Sequence, residues 1–315
     1  MINIAAFIDV KDNKLTSRSS QMVLLTQEMQ RKNRDIQSIT FYTIDSINSL
    51  DIPPVNGAKL VSINGISEAG ILTSDQLDSI VNQFNSDQIN CIVGYKNLIT
   101  DQIFPAFSAK TNLPMIGQIL SLDLGDSQIN LKQSIFSGKA TSTVNATYAS
   151  ILSFNNAFEF GSAEGQQITI ESNTLSLPAA SAYQVIDIHK ASAGINLADA
   201  TYVVGAGRGL KGPENWGIIE ELAAKIGAAT ACSKPVSDVD WRPHSEHVGQ
   251  TGIKIAPKLY IACGISGAIQ HLAGVNGSKT IVVINNDPEA PFFKYADYGI
   301  VGDVFEVVPA LIKNL

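Results

Sequence analysis

LYIACGISGAIQHLAGVNGSKTIVVIN, residues 259–285, is the stretch from which the rest of this chain is read. An apolar run over 259–263 breaks at Gly264, and Ile265-Ser266-Gly267 follow it. Residues 268–273 have helical character, and a second apolar run over 280–284 ends at Asn285. The pattern is strand, glycine turn, helix, strand: one βαβ unit. In a parallel sheet, ligands bind just beyond the carboxyl ends of the strands. Small residues there let a ligand approach the main chain, and the start of the helix offers N–H groups to an anion or a carbonyl. Gln270 and His271 are polar groups in an otherwise apolar unit and need partners.

The chain around this unit has 315 residues, enough for two domains. It is 45% hydrophobic and only 16% charged, which predicts a globular protein. A net charge of −7 with no Lys/Arg cluster argues against nucleic acid and against an anionic membrane surface. No apolar run approaches a transmembrane length, so no stable membrane insertion is expected. The opening MINIAAFIDV reads as a first strand, not a targeting segment, and a cytoplasmic location is expected. Cys91, Cys232 and Cys263 lie far apart in apolar contexts and read as buried thiols in a reducing compartment.

The first half alternates. Strands are expected over 4–10, 39–43, 59–63 and 89–95, with helices over 19–31, 74–84 and 97–110, the last bent or ended at Pro105. Alternation of this kind predicts a mainly parallel, doubly wound sheet. After Pro114 the segments 118–123, 134–137, 149–154 and 167–171 read as strands without helices between them, an antiparallel extension. Residues 182–189 read as a closing strand, and the small residues over 191–200 mark the domain boundary. A second α/β domain follows. Its strands are expected over 202–204, 228–233, 260–263, 280–284 and 299–301, and its helices over 215–226 and 304–313.

Each strand of this second domain ends in an unusual loop. The first runs into Gly205-Ala-Gly207-Arg208-Gly209, a weak glycine signal strengthened by a guanidinium suited to phosphate. The next ends in Ser233-Lys234, where a ligand-facing hydroxyl beside a cation is favoured over a nucleophile–base pair. His247-Val-Gly249-Gln250-Thr251-Gly252 reads either as a surface turn or as polar donors held between glycines. His244 and His247 have no third ligand in sequence reach, so no metal site is expected. His189 reads as a structural histidine. Asn285 and Asp303 either cap helices or hold a ribose hydroxyl. Together these groups predict a dinucleotide site on one sheet edge, with no nucleophile or general base assigned.

The run from Tyr260 to Gly274, with Ile284-Asn285 after it, closely resembles the signature of the electron transfer flavoprotein alpha subunit. GRGLK from Gly207, VGQTG from Val248, NNDPEAP from Asn285 and ADYGIVGD from Ala296 agree with it. The resemblance covers the chain from Gly207 onward; the first half is similar only in its α/β pattern and length. It implies an α/β chain of two domains: an N-terminal α/β domain over 1–190 with the antiparallel extension and the beta-subunit interface, and a Rossmann-like parallel-sheet domain over 191–315 that binds FAD. Carried over motif by motif, Arg208 lies toward the phosphates or adenosine. Ser233, Lys234, His247, Gly249, Gln250 and Thr251 border the flavin, with the Thr251 hydroxyl near N5. Ser266, Gly267, Gln270 and His271 face the FAD, with His271 near O2, and Asn285 and Asp303 hold the adenosine end.

Three departures from the family pattern stand out. Lys234 occupies a place where the family often has an arginine stacked on the flavin, keeping the charge but losing the planar fork. His247 stands where many members have glutamine, which makes the flavin surroundings open to titration. Val283 stands where alanine is usual. The resemblance implies a heterodimer with a beta subunit, which carries AMP in many members. It implies electron flow from flavoprotein dehydrogenases, such as acyl-CoA dehydrogenases of fatty-acid beta-oxidation, to a quinone oxidoreductase, with no substrate turnover by the chain itself. The alternatives are a flavin-bifurcating complex using NADH, a nicotinamide- or FAD-binding oxidoreductase with its own substrate, and a nucleotide-binding scaffold.

Overall fold

Four residues of β1 (Ile2–Phe7) show why the first unit is layered: Ile4 and Ala6 join one core, Ala5 and Phe7 the other. Successive side chains of a strand point to opposite faces, so a continuously apolar strand has to be covered on both sides. The structure, a computed structural model, describes residues 1–11, 13–136, 140–155, 167–180, 186, 197 and 200–315. The chain divides into two units, Met1–His189 and Lys190–Leu315.

In the first unit, β1 lies centrally among parallel strands β4 (Ile36–Thr43), β6 (Ala58–Asn64), β7 (Cys91–Tyr95) and β11 (Ile151–Phe154). A two-residue hairpin, β2 (Val10–Lys11) with β3 (Lys14–Leu15), follows β1. Helix α1 (Ser17–Lys32) covers one face with Met22, Val23, Leu25 and Met29. Helices α2 (Ser74–Ser86) and α3 (Thr100–Thr111) cover the other with Ile80, Phe84, Phe104 and Phe107. Thr73 and Gln76 form a reciprocal capping box that starts α2.

The antiparallel extension is the meander β8 (Met115–Leu124), β9 (Gln128–Ile135) and β10 (Ala140–Thr147). The segment over 149–154, expected in that extension, is instead β11, inserted parallel between β7 and β8. A short buried run, ILSF, fits a doubly covered parallel strand equally well. At the opposite edge β12 (Ile168–Ser176) runs parallel to β6 and antiparallel to β5 (Ser49–Ile52). Helix α3 continues through Pro105 rather than stopping there. The closing strand expected over 182–189, with His189, lies outside the described residues except at 186.

The second unit holds strands β13 (Tyr202–Ala206), β14 (Ala229–Cys232), β15 (Leu259–Cys263), β16 (Ile281–Asn285) and β17 (Tyr298–Val301). Its helices are α4 (Gly217–Ile226), α5 (Lys234–Ser237), α6 (Ile269–Val275) and α7 (Val304–Asn314). All five strands are parallel, in the order β14-β13-β15-β16-β17. This is a doubly wound sheet whose order reverses at β13. On one face Val203, Tyr260 and Val283 pack with Leu272 and Val275 of α6. On the other, Val204, Ile261 and Ile284 pack with Ile219 and Leu222 of α4 and Val304 and Val308 of α7. No helix among the described residues is long and apolar enough to cross a membrane.

Candidate functional site

The loops leaving β13, β14, β15 and β16 converge on one cleft of about 620 Å³, a size usual for a small-molecule site. It opens where β14 and β15 diverge from either side of β13, the place at which such sheets bind ligands. Gly207, Arg208 and Gly209 come from the loop after β13, and Ser233, Lys234 and Asp238 from the segment after β14. His247, Gly249, Gln250 and Thr251 come from the connection to β15. Ser266, Gln270 and His271 follow β15, and Asn285 and Asp287 follow β16.

The floor is built where two main chains touch. Gly207 N–H donates to the Cys263 carbonyl at 3.0 Å and Gly209 N–H to the Gly264 carbonyl at 3.1 Å. Gly264 has φ +60°, and a Cβ on it would lie 2.8 Å from Gly209 Cα. Only glycine at both places permits this approach without strain. Arg208 itself opens a 3-10 turn, Arg208–Leu210, and stays exposed.

The loop from His247 to Thr251 lies against α6. Val248 N–H donates to the Cys232 carbonyl at 3.0 Å, and Gln250 N–H to the Gln270 carbonyl at 2.7 Å. A side chain at Gly274 would overlap the Gly249 nitrogen, so the helix presents a glycine to this loop. Asn285 ties two further loops: Nδ2 donates to the Ile265 carbonyl and Oδ1 accepts from Asp287 N–H, each at 3.0 Å. Arg242 secures the turn before His247. Its Nε and Nη2 donate to Glu246 at 2.9 and 2.6 Å, Nη1 donates to Glu220 at 2.8 Å, and its guanidinium lies 5.3 Å from the Trp216 ring centre.

The electrostatics favour neutral imidazoles. Burial lowers the His271 pKa to about 4, with His247 adding to the fall and the Val248 backbone opposing it. Burial also lowers the His247 pKa, helped by Lys234. His271 Nε2 is 2.9 Å from the Tyr260 hydroxyl, and Nδ1 makes no hydrogen bond of good geometry among the described residues. Burial raises the Cys232 and Cys263 thiols to about 12, so neither is a thiolate nucleophile near neutral pH.

Of the residues expected at the site, Gly267 and Asp303 do not line the cleft. Gly267 lies under Phe292, whose N–H donates to the Ser266 carbonyl at 3.1 Å. Asp303 accepts from Phe305 N–H at 2.9 Å, capping α7, and stands 3.7 Å from Lys211 Nζ. Sequence reading missed Asp238 and Tyr260. A tyrosine at one alternating position of an apolar strand was the available signal for the latter, since a buried hydroxyl needs a partner. No group of three or more potential metal ligands occurs among the described residues.

Residues 196–276 match the family model described as the electron transfer flavoprotein FAD-binding domain. A Bacillus subtilis (strain 168) protein named electron transfer flavoprotein subunit alpha is 35% identical over 281 residues, covering 88% of this chain and 82% of that one. The chain belongs to the electron transfer flavoprotein alpha-subunit family. Proteins of the same name from Thermoanaerobacterium thermosaccharolyticum and Paracoccus denitrificans are 54% identical over 121 residues and 56% identical over 119. Each of those matches covers 38% of this chain, and 37% and 39% of the respective relative. The segment matched by the electron transfer flavoprotein model contains β13, β14, β15 and α6, and therefore three of the four strand ends that form the cleft.

Proposed function

We propose that this chain is the FAD-bearing subunit of a heterodimeric electron carrier, with FAD in the cleft of the Lys190–Leu315 unit. The observation that supports this most strongly is the joint composition of the cleft. Two exposed cations, Arg208 and Lys234, share it with the neutral donors Gln250, Thr251, Ser266 and Gln270, and with a buried imidazole nitrogen that makes no hydrogen bond of good geometry among the described residues. The glycine crossing of Gly209 and Gly264 brings bare main chain to the same place. A dinucleotide needs this combination: charge for the pyrophosphate, close backbone approach, and fixed donors for a polar ring.

FAD, when bound, supplies reversible electron transfer. The residues of the chain bind and orient it. Arg208 faces the phosphate or adenosine part. Ser233, Lys234, His247, Gly249, Gln250 and Thr251 border the flavin, and Ser266, Gln270 and His271 complete that wall. A donor held at the flavin carbonyl region favours the reduced, negatively charged form. Asn285 serves the adenosine end while holding the Ile265 carbonyl and Asp287. Gly267 and Asp303 act from outside the cleft, one by admitting Phe292 and the other by capping α7.

In this reading residues 1–190 bear the surface for a beta subunit, which holds AMP, and residues 191–315 carry the flavin. Electrons arrive from flavoprotein dehydrogenases such as acyl-CoA dehydrogenases and leave to a quinone oxidoreductase, in the cytoplasm, with no substrate turned over by the chain itself. Anaerobic stopped-flow mixing of the FAD-loaded complex with a substrate-reduced acyl-CoA dehydrogenase tests it. Bleaching of the carrier's flavin is expected, with no consumption of acyl-CoA or NADH by the carrier alone. Steady NADH or acyl-CoA turnover by the carrier alone would overturn the reading.

A further inference from the structure

The Tyr260 hydroxyl is sealed in the core of the second unit. The residue is 0% exposed, and among the described residues the hydroxyl has one hydrogen-bond partner, His271 Nε2 at 2.9 Å. Tyr260 stands on β15, on the sheet face covered by α6, which is why the two rings meet. Phe292 packs against both, with centroids 6.4 Å from Tyr260 and 5.8 Å from His271. On neighbouring β13, a side chain at Gly205 would overlap the phenol oxygen, so glycine there leaves room for the hydroxyl and supplies no polar group to it. At the other edge of the imidazole, Nδ1 makes no hydrogen bond of good geometry among the described residues, although the Val248 backbone lies close enough to the ring to favour its proton, and His271 lines the cleft.

We propose that Tyr260 is a positioning residue that sets the tautomer of His271: its O–H donates to Nε2, the imidazole carries its proton on Nδ1, and a ligand in the cleft meets a neutral N–H donor. The pair has two possible arrangements. If Nε2–H donated to the phenol oxygen, the buried phenol proton would be left without an acceptor among the described residues, and Nδ1 would be an unpaired acceptor. If the phenol donates instead, the one donor left over is Nδ1–H, on a residue that borders the cleft, where a ligand can accept it. Leaving a buried donor unmade is the more costly choice. The ring nitrogen that carries the proton is set by the bond the other one makes.

Two surrounding effects agree. Burial raises the Tyr260 pKa well above its ordinary value, so the phenol keeps its proton. Burial and His247 together disfavour the imidazolium, while the Val248 backbone favours a proton on the ring. The tautomer follows from the chain alone. Its consequence, a fixed donor to the flavin, rests on the proposed FAD site.

The test is a long-range proton–nitrogen NMR spectrum of the full chain labelled with ¹⁵N at its four histidines, recorded at pH 7 without and with FAD. The His271 signals are assigned by their loss in His271→Gln. The expected result is a neutral His271 in the Nδ1–H form, already present without FAD, with an Nε2 signal that moves in Tyr260→Phe toward that of a ring nitrogen accepting no hydrogen bond. Gly205→Ala, which pushes the hydroxyl aside, should do the same. An Nε2–H form or an imidazolium in the unmodified chain would overturn the proposal, as would an Nε2 signal left unmoved in Tyr260→Phe. If Tyr260→Phe does not fold, the spectrum of the unmodified chain still decides between the two arrangements. The FAD-free spectrum reads the tautomer even if the chain binds no flavin, so failure of this inference and failure of the FAD reading are distinguishable.

Discussion

Gly209 and Gly264 meet main chain to main chain at the reversal of the second sheet: the Gly209 N–H donates to the Gly264 carbonyl at 3.1 Å, and a Cβ on Gly209 would stand 2.6 Å from Gly264 Cα. The contact joins the loops after β13 and β15 and forms the floor of the cleft. Gly264→Ala forces a side chain into that contact and into a left-handed backbone at φ +60°. The expected cost is roughly 1–2 kcal/mol for the backbone and about 1–3 kcal/mol for overpacking. Urea unfolding should show it, together with loss of FAD uptake. A variant with unchanged midpoint and full flavin content would contradict this account of the floor.

Arg208 is the exposed cation nearest the glycine floor in sequence. Arg208→Glu exchanges an attraction for a repulsion toward a pyrophosphate. A charged hydrogen bond contributes about 1.5–3 kcal/mol, so FAD affinity should fall roughly 10- to 100-fold or more. Titration of FAD followed by fluorescence quenching checks it, with the unfolding midpoint unchanged because the side chain is exposed.

His271 makes stability depend on pH. Its pKa is lowered to about 4 in the folded chain, against an ordinary 6.5. Below pH 6.5 the unfolded chain takes up a proton that the folded one refuses, so stability falls as pH drops from about 6.5, and the loss is complete near pH 4. Above 6.5 this group changes nothing. Between pH 7 and 4.5 the loss is about 2–3 kcal/mol at 1.36 kcal/mol per unit. Urea unfolding of the unmodified chain and of His271→Gln at both pH values isolates it: the variant should lose less stability by that amount. Equal losses in both proteins would rule the effect out.

The Arg242 clamp holds the turn that precedes His247. Arg242→Ala removes the paired bonds to Glu246, the bond to Glu220 and the cover over Trp216. A loss of about 2 kcal/mol is expected, read as a lower thermal midpoint. Arg242→Lys should recover only part of it, because an ammonium cannot make the two parallel bonds.

The βαβ core of the second unit was legible because its strands are apolar nearly throughout and its turns are marked by glycine. Strands without that signature were not. Strand β10, ATSTVNAT, is largely exposed and owes its place to pairing with β9, which no local pattern encodes. Strand β5 has only four residues and owes its place to β12. The apolar run of β11 was visible but its neighbours were not, so its parallel place between β7 and β8 came only with the tertiary structure. At the site, loop positions announced themselves through glycine and polar residues in an apolar setting. Tyr260 did not, because its role depends on a ring one helix away rather than on its own segment. Asp303 carried a helix cap as well as a site signal, and in the structure Oδ1 makes the cap while Oδ2 stands 3.7 Å from Lys211 Nζ.

The central claim is that the cleft between the β13, β14 and β15 loops holds FAD. The most direct measurement is the flavin content of the purified full chain, co-expressed with its beta-type partner subunit, by visible absorption and by chromatography of the released cofactor. The account predicts one FAD for each copy of this chain, lost in Gly264→Ala. A colourless complex that takes up no added FAD would contradict it.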